Sequence, residues 1–293
     1  MSSKRFAVIG DPVGHSKSPH MHESAYRALS LPHTYEALPT PADVIGARIE
    51  ALRRGDFHGY NVTVPHKTRM IPFLDELAPS ALIAGAVNTI VRDDSGRLVG
   101  HNTDAPALAM ELSTLAPELA KDASKLRALV IGSGGAARSA ICALALHLRV
   151  GEIVIRARSV VCDSQEPGDF LGQMRQLLDG AGASTRLCVE PFAANATSDA
   201  SLSLVVQATS AGMHGGPPGE GVAAVVTWSV LASRSAVLDV VYVPAETPFL
   251  SAARAHGIRH ANGIGMLARQ GALAFELWIG QPAPIACMLK ALE

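Results

Sequence analysis

The feature that most constrains the fold lies mid-chain, at residues 129–138 (LVIGSGGAAR), where an apolar run meets three glycines and a helical pattern begins. Glycine tolerates the backbone angles of a tight turn from a strand into a helix, and it lets a phosphate approach the main chain. The amide groups of the following helix would point at that phosphate. A plain strand-to-helix turn has the same pattern. The stretch predicts a nucleotide-phosphate site formed by Gly132, Ser133, Gly134, Gly135 and Ala136.

The strand after this turn bears on the choice of cofactor. From 127 to about 155 the pattern is strand, glycine turn, helix and strand, which is typical of the first unit of a dinucleotide-binding fold. The second strand ends in Arg156, Ala157, Arg158 and Ser159. An acidic residue at this point favours NAD, whereas an arginine favours the 2′-phosphate of NADP. The two arginines therefore indicate NADP, unless they only form a solvated basic loop.

A polar loop follows the first predicted strand, at residues 6–9. Ser16 and Ser18 offer hydroxyls that both donate and accept hydrogen bonds, and Lys17 adds charge. Loops after strand ends are where α/β proteins bind ligands. Capping of the next helix by Ser18 is an equally good interpretation of the spacing.

A second polar group accompanies the alternating strand that begins at residue 59. Asn61 and Thr63 lie on one face of this strand, and a buried polar face is costly unless something pairs with it. Lys67 comes just past the strand end, where it could meet a ligand or simply be solvated.

Two further polar residues lie at a predicted hairpin. The pattern over 84–92 predicts a strand with Asn88 in its middle, followed by a turn and a returning strand. Asp104 comes next, just before a helical pattern that runs to about residue 115. From the residues alone, Asp104 is either a helix cap or a functional carboxylate.

Composition narrows the classes of function. Hydrophobic residues make up 48% of the 293 residues, so a sizeable core is expected, and the net charge of −1 argues against nucleic acid or an anionic membrane as a partner. The four cysteines (Cys142, Cys162, Cys188 and Cys287) form no metal-binding pair. We therefore expect no metal and a reduced, cytoplasmic setting.

Taken together, these stretches resemble the shikimate dehydrogenase family. The matches run in family order along the whole chain: residues 14–19 (GHSKSP), 61–67 (NVTVPHK), 85–89 (GAVNT), 102–104 (NTD), the turn at Gly132, 208–213 (ATSAGM), 238–242 (LDVVY) and 262–270 (NGIGMLARQ). The resemblance implies reversible reduction of 3-dehydroshikimate to shikimate with NADPH, in the biosynthesis of aromatic amino acids by the chorismate pathway.

The resemblance also implies roles for single residues. Lys67 and Asp104 match the family's catalytic pair, and we expect Lys67 to exchange the proton while Asp104 orients it. The residues that match those holding the substrate's carboxylate and hydroxyls are Ser16, Ser18, Thr63, Asn88, Tyr242 and Gln270. Val240 and Gly263 complete the expected cofactor site, together with the glycine turn, Arg156, Arg158 and Ser159.

The chain departs from the family pattern at two places. Ala157 replaces the asparagine of the usual Asn-Arg-Thr or Asn-Arg-Ser, and residues 160–166 hold two acids but no arginine. Ala105 replaces a glycine that commonly follows the aspartate. NADP is therefore the predicted cofactor, with NAD possible.

The predicted architecture is a two-domain α/β protein. Residues 1–104, completed by 264–293, form an α/β domain for substrate and catalysis, and 105–263 form a Rossmann-type dinucleotide-binding domain. The nearest alternative is a quinate/shikimate dehydrogenase-like paralogue that uses NAD or another polyol acid. The others are a different Rossmann enzyme and a cofactor-binding protein that has lost catalysis. We expect a small-molecule substrate, and a monomer or homodimer.

Overall fold

The computed structural model describes residues 3–159 and 170–293. The chain divides into two compact units, one made of Met1–Ala107 with Leu267–Glu293 and the other of Leu108–Met266. The divisions that we predict after residues 104 and 263 fall a few positions away. Both observed divisions lie inside helices, which continuous helical patterns cannot reveal.

Twelve strands and eleven α-helices build the described part of the chain. The strands are β1 (Arg5–Gly10), β2 (Thr34–Pro39), β3 (Gly59–Val62), β4 (Glu76–Leu77), β5 (Thr89–Arg92), β6 (Leu98–His101), β7 (Arg127–Ile131), β8 (Glu152–Arg156), β9 (Arg186–Val189), β10 (Leu204–Gln207), β11 (Ala236–Asp239) and β12 (Arg259–Ala261). The helices are α1 (Ser18–Ala28), α2 (Ile45–Arg54), α3 (Pro79–Ala84), α4 (Asp104–Leu115), α5 (Gly135–Cys142), α6 (Phe170–Gly180), α7 (Ala196–Asp199), α8 (Glu220–Ala223), α9 (Pro248–Ala255), α10 (Ile264–Ile279) and α11 (Ile285–Lys290). None of these helices is long and apolar enough to cross a bilayer.

The first unit is built on a mixed sheet with the order β2-β1-β3-β5-β6-β4. β5 runs antiparallel to β3 and β6, and the remaining pairs are parallel. The carboxyl ends of β1, β3 and β6 and the amino end of β5 therefore share one edge of the sheet. The polar loops that follow or precede these strands are gathered at that edge.

The last helices complete this first unit. Trp278 of α10 stacks on Phe6 of β1, with ring centroids 4.7 Å apart, and its Nε1 donates to the Ile90 carbonyl at 3.1 Å. Gly59 is required beneath that ring, because a Cβ there would lie 2.2 Å from Trp278 Nε1. Near the end of the chain, the Leu292 carbonyl accepts a hydrogen bond from Lys17 Nζ at 2.7 Å.

The second unit is a parallel six-stranded sheet with the order β12-β11-β10-β7-β8-β9. Counted from β7, this is the doubly wound order of dinucleotide-binding folds, which binds ligands where the strand order reverses. β7 lies at that reversal, between β10 and β8, and the glycine turn follows it. The structure confirms the predicted strand, turn, helix and strand, although the helix continues from Cys142 as a π-helical turn over Ala143–His147.

Some predicted elements are wrong in extent. The predicted strand over 84–92 is in fact the end of α3, a turn and β5, so Asn88 precedes its strand rather than lying within it. Ala86 and Val87 are buried and apolar and lead through Asn88 into β5, so a pattern analysis favours one continuous strand. The short elements β4, β12, α7 and α8 have too few residues to show a period.

Candidate active site

Lys67 and Asp104 form an ion pair at the polar edge of the first sheet. Lys67 Nζ lies 2.6 Å from Asp104 Oδ2, and their side chains are only 15% and 5% exposed. Lys67 directly follows the turn of residues 63–66 after β3, and its carbonyl accepts from the Val87 amide at 2.7 Å. Asp104 opens α4, directly after β6. A nearly buried ammonium held by one carboxylate can donate a proton to a substrate oxygen or take one from it.

Asp104 is not the cap of its helix. The side chain that caps this turn belongs to Asn102, whose Oδ1 accepts from the Ala105 amide at 3.0 Å. Asn102 Nδ2 in turn donates to the Ala86 carbonyl at 3.0 Å. The carboxylate of Asp104 is therefore left to pair with Lys67.

Asn88 and Gln270 meet beside this pair in the first unit. Asn88 Nδ2 donates to Thr103 Oγ1 at 2.9 Å and to Gln270 Oε1 at 3.4 Å. The Thr103 amide donates to Asn88 Oδ1 at 2.8 Å. Gln270 Nε2 donates to the Leu267 carbonyl at 2.9 Å. Thr103 thus orients a predicted substrate ligand, a role that we did not predict although the residue lies within the 102–104 motif.

Ser16, Ser18 and Thr63 lie in the same unit: Ser16 in the loop that follows β1, Ser18 at the first position of α1 and Thr63 just after β3. Ser16 Oγ accepts from the Ser18 amide at 3.2 Å, and Ser18 makes no side-chain capping bond. The alternative that Ser18 caps the helix is therefore wrong. The Thr63 amide donates to the Ile9 carbonyl of β1 at 2.9 Å, and the Asp11 amide donates to the Val64 carbonyl at 2.9 Å, so the segments that follow β1 and β3 are joined. The direct bonds of the described residues do not connect these hydroxyls to the Lys67–Asp104 pair.

Asn61 has partners within the protein. Its Oδ1 accepts from the Tyr35 hydroxyl at 2.7 Å, and its Nδ2 donates to the Asn88 carbonyl at 3.2 Å and to Thr89 Oγ1 at 3.0 Å. The buried polar face that the alternating strand predicts is thus satisfied internally at Asn61. Thr63 remains half-buried just beyond the end of β3.

Tyr242 belongs to the other unit, past the end of β11, and is half-buried. Its role toward the substrate stays a prediction.

The glycine turn of the second unit has the shape of a phosphate cradle. Gly132 has φ +121°, and a Cβ there would lie 3.1 Å from the Ala208 carbonyl oxygen. Gly134, which precedes α5, is exposed, and a Cβ there would have no heavy atom within 4 Å. The helix has no side-chain cap. Its first amides are therefore open to an anion, as a bound dinucleotide requires.

The structure corrects the prediction for Arg156. This side chain is completely buried, and its Nη2 lies 2.6 Å from both Glu190 Oε2 and Asp199 Oδ1. Its Nη1 donates to the Val225 carbonyl at 2.6 Å. A guanidinium that is enclosed by two carboxylates and a carbonyl has no face left for a cofactor phosphate. Arg156 is a structural residue of the second unit.

Arg158 and Ser159 are the exposed residues at this strand end. Ser159 Oγ lies 2.7 Å from Ser133 Oγ, so the end of β8 meets the glycine turn. Within residues 3–159 and 170–293, the Arg158 guanidinium makes no ion pair and remains a candidate for a phosphate. The acids that we noted in 160–166 lie outside the described residues.

Val240 and Gly263 also come together in the second unit. A Cβ on Gly263 would lie 2.2 Å from the Val240 carbonyl oxygen, so only glycine allows this approach. Asp239 lies beside them, fully buried, and accepts from Thr247 Oγ1 at 2.6 Å and from the Val241 amide at 2.9 Å. Burial raises the pKa of Asp239 to about 6, against the opposing effect of these bonds.

Family models match both ends of the chain. The model of the shikimate dehydrogenase substrate binding domain matches residues 8–90, and that of the shikimate 5′-dehydrogenase C-terminal domain matches 263–293. A shikimate dehydrogenase (NADP(+)) from Carboxydothermus hydrogenoformans is 36% identical over 292 residues, which cover 99% of this chain and 96% of the relative.

Solved structures match over nearly the full length as well. Shikimate 5-dehydrogenase from Thermus thermophilus, in complex with NADP(H) and shikimate, is 34% identical with a TM-score of 0.76, covering 99% of this chain and 98% of that one. Quinate dehydrogenase from Corynebacterium glutamicum, in complex with NAD, is 26% identical with a TM-score of 0.81 and covers 99% of both chains.

Proposed function

Since this chain belongs to the shikimate dehydrogenase family, we propose that it catalyses the reversible reduction of 3-dehydroshikimate to shikimate with NADPH. The observation that carries the proposal is the enclosed pair of Lys67 and Asp104, 2.6 Å apart. Reduction of a ring ketone needs a hydride at carbon and a proton at oxygen, and this pair supplies the second of these. A quinate-specific or NAD-specific paralogue is not favoured, because the two relatives described above that are 34% and 36% identical to this chain are both shikimate dehydrogenases, whereas the quinate dehydrogenase is 26% identical.

Lys67 is the proposed proton donor and Asp104 its orienting partner. The ammonium carries three protons, of which the bond to Asp104 Oδ2 uses one, so two remain for a substrate oxygen. The Lys67 side chain is also the more exposed of the two. An ammonium at this place stabilises the negative charge that develops on the oxygen before the proton moves from Nζ. In the reverse direction, Nζ receives the proton from the substrate hydroxyl.

The substrate's carboxylate and hydroxyls are assigned to side chains that can donate and accept. Ser16, Ser18 and Thr63 supply hydroxyls beside the ends of β1 and β3. Asn88 and Gln270 supply amides that contact each other, and Asn88 also bonds Thr103, which directly precedes Asp104 in the chain. Tyr242 of the second unit completes the proposed set.

NADP is the proposed cofactor, and when bound it supplies the hydride. The main chain of Gly132, Ser133, Gly134, Gly135 and Ala136 would hold its phosphates, since this turn leaves the amides at the start of α5 open. Arg158 and Ser159 would bind the 2′-phosphate, because a planar guanidinium suits phosphate oxygens. Val240 and Gly263 are proposed to line the remainder of the cofactor site.

We propose a cytoplasmic location, because Cys142, Cys188 and Cys287 are free thiols, as a reducing compartment would keep them. The proposed assembly is a monomer or a homodimer.

The test follows absorbance at the reduced-nicotinamide band with shikimate or quinate and with NADP or NAD. We expect shikimate with NADP to be the preferred pair. Lys67→Met should lower kcat by about 10²–10⁴-fold with little change in KM, as loss of a general acid does. Asp104→Asn should lower it less, because the ammonium remains.

The matched control is Lys125→Met, which removes the lysine of an exposed pair with Asp122 (2.9 Å, 75% and 70% exposed) and should leave kcat unchanged. If Asp104→Asn is the more severe variant, Asp104 is the donor instead. A clear preference for quinate or NAD would contradict the proposed substrate or cofactor, and absence of turnover with every pair would contradict the activity.

A further inference from the structure

A buried chain of hydrogen bonds runs behind the proposed substrate amides. It begins at the Tyr35 hydroxyl in β2, passes through Asn61 of β3 and Thr89 of β5, and reaches Asn88. All four residues are buried, and none of them touches the Lys67–Asp104 pair through a direct bond that the structure describes. The chain reaches from β2 across β1 to β3 and β5 of the first sheet, so it links the sheet interior to the polar edge.

Two backbone groups determine which atoms of the Asn61 and Asn88 side-chain amides face their neighbours. The Asn88 carbonyl can only accept, so the Asn61 atom that faces it must be Nδ2, and Oδ1 must face Tyr35. The Tyr35 hydroxyl is therefore the donor to Asn61. At the other end, the Thr103 amide can only donate, so the Asn88 atom that faces it must be Oδ1.

Thr89 transmits this direction between the two amides. Its Oγ1 accepts one of the Asn61 Nδ2 protons at 3.0 Å, and its own proton has Asn88 Oδ1 at 3.2 Å as the nearer acceptor, with Thr103 Oγ1 at 3.4 Å. Asn88 Oδ1 thus has two protein donors within reach, the Thr103 amide and the Thr89 hydroxyl. The Nδ2 group of Asn88 is left as the end that faces Gln270, through a contact of 3.4 Å that a ligand oxygen could readily replace.

The ring of Tyr35 is held in place independently of its hydroxyl. His22 of α1 stacks on it with centroids 4.3 Å apart and ring planes 6° from parallel. His22 is completely buried and burial lowers its pKa to about 3, so the stack is neutral at any working pH. Removal of the hydroxyl alone should therefore leave the ring where it is.

We propose that Tyr35 is a positioning residue for the substrate. Its hydroxyl bonds Asn61 Oδ1 and so holds the Asn61 amide against the Asn88 carbonyl and Thr89. Through Thr89 it helps to keep Asn88 Nδ2 a preoriented donor to a substrate hydroxyl oxygen. The inference rests on the proposed function, which assigns Asn88 to the substrate. The group that Asn88 binds must then supply an acceptor, so this subsite selects an oxygen and rejects a group that can only donate.

Tyr35→Phe tests the inference, and Tyr26→Phe is its matched control. Tyr26 is an equally buried tyrosine of the same unit whose hydroxyl has no hydrogen-bond partner among the described residues. We expect Tyr35→Phe to raise the KM for shikimate about five- to tenfold, the worth of one neutral hydrogen bond, with the KM for NADP and kcat within about twofold of the wild type. Tyr26→Phe should change none of the three.

A second variant and a second readout keep the test decisive. Thr89→Val keeps the β-branched shape in β5 but breaks the link between the two amides, so it should show the same rise in the KM for shikimate even if Tyr35→Phe does not fold. Exchange of the Asn61 side-chain amide protons, followed by NMR, should accelerate at least about tenfold in Tyr35→Phe and not in Tyr26→Phe.

An unchanged KM for shikimate in both Tyr35→Phe and Thr89→Val, or a rise of equal size for NADP, would overturn the inference while leaving the proposed function intact. If the wild type does not turn over shikimate, the proposed function fails. The amide exchange then still decides whether Tyr35 orients Asn61 and Asn88.

Discussion

Replacement of the buried Arg156 is the most direct test of how the second unit is stabilised. Arg156→Met keeps most of the side-chain volume but removes a cation that two carboxylates and the Val225 carbonyl surround. Asp199 is as fully buried as Arg156, so its charge cannot be rehydrated. Breaking a buried pair of this kind costs about 3–5 kcal/mol, of a total of about 5–15 kcal/mol for a typical domain.

The assay can isolate the second unit because each unit holds one of the chain's two tryptophans, Trp278 in the first and Trp228 in the second. In a Trp278→Phe background, fluorescence during urea unfolding reports on Trp228 alone. Arg156→Met should lower the free energy of this transition by about 3–5 kcal/mol, the cost of a broken buried pair. Arg158→Met, which removes an exposed side chain, should change it by no more than about 0.5 kcal/mol.

Steady-state kinetics should show the reverse order, with the larger effect in Arg158→Met and the smaller one in Arg156→Met. Arg158→Met should raise the KM for NADP and leave that for NAD unchanged, because only NADP carries the 2′-phosphate. Our reasoning is refuted if Arg156→Met unfolds within about 1 kcal/mol of the parent and instead raises the KM for NADP, since Arg156 would then contact the cofactor.

Further predictions concern the glycine turn and Asp239. Gly132→Ala should cost about 1–3 kcal/mol of stability and weaken NADP, because of its φ of +121° and a contact of 3.1 Å with the Ala208 carbonyl. Gly134→Ala should weaken NADP without loss of stability, and equal unfolding midpoints for the two variants would argue against the strain. Because burial raises the pKa of Asp239 from 3.8 to about 6, the native state holds the proton more tightly than the unfolded state, and the free energy of unfolding should fall as the pH rises through this window. Asp239→Asn should remove about 3 kcal/mol of that fall, measured by urea unfolding at several pH values, whereas parallel profiles of variant and wild type would contradict the assignment.

The sequence predicts the second unit well because the residues that define its fold lie close together in the chain. The glycine turn joins β7 to α5 within a few residues, and the doubly wound order follows from alternating strands and helices. The ion pair of the first unit is different, because Lys67 and Asp104 are 37 positions apart. Nothing in the sequence beside Lys67 separates it from a solvated lysine, so only the family resemblance identifies the pair.

Arg156 shows where pattern analysis fails. The arginine-rich end of β8 suggests a solvent-exposed segment. The carboxylates that bind Arg156 belong to Glu190 and Asp199, which lie 34 and 43 positions further along the chain. Charge and spacing carry no information about which of two neighbouring arginines faces inward. The same limit applies to Tyr35 and Asn61, whose bond crosses from β2 to β3 over 26 positions.

The first unit is formed by two segments of the chain that lie on either side of the second unit, and this affects the order in which the units can fold during synthesis. During synthesis, β1 to β6 emerge first, but the ring of Trp278 that covers Phe6 and Gly59 is added only after the whole of the second unit. The second unit is continuous and can fold as soon as it leaves the ribosome, as domains generally do. Until Trp278 has been synthesised, the aromatic face of the first sheet that it later covers stays exposed. We therefore expect the growing chain to need a chaperone most during synthesis of the second unit.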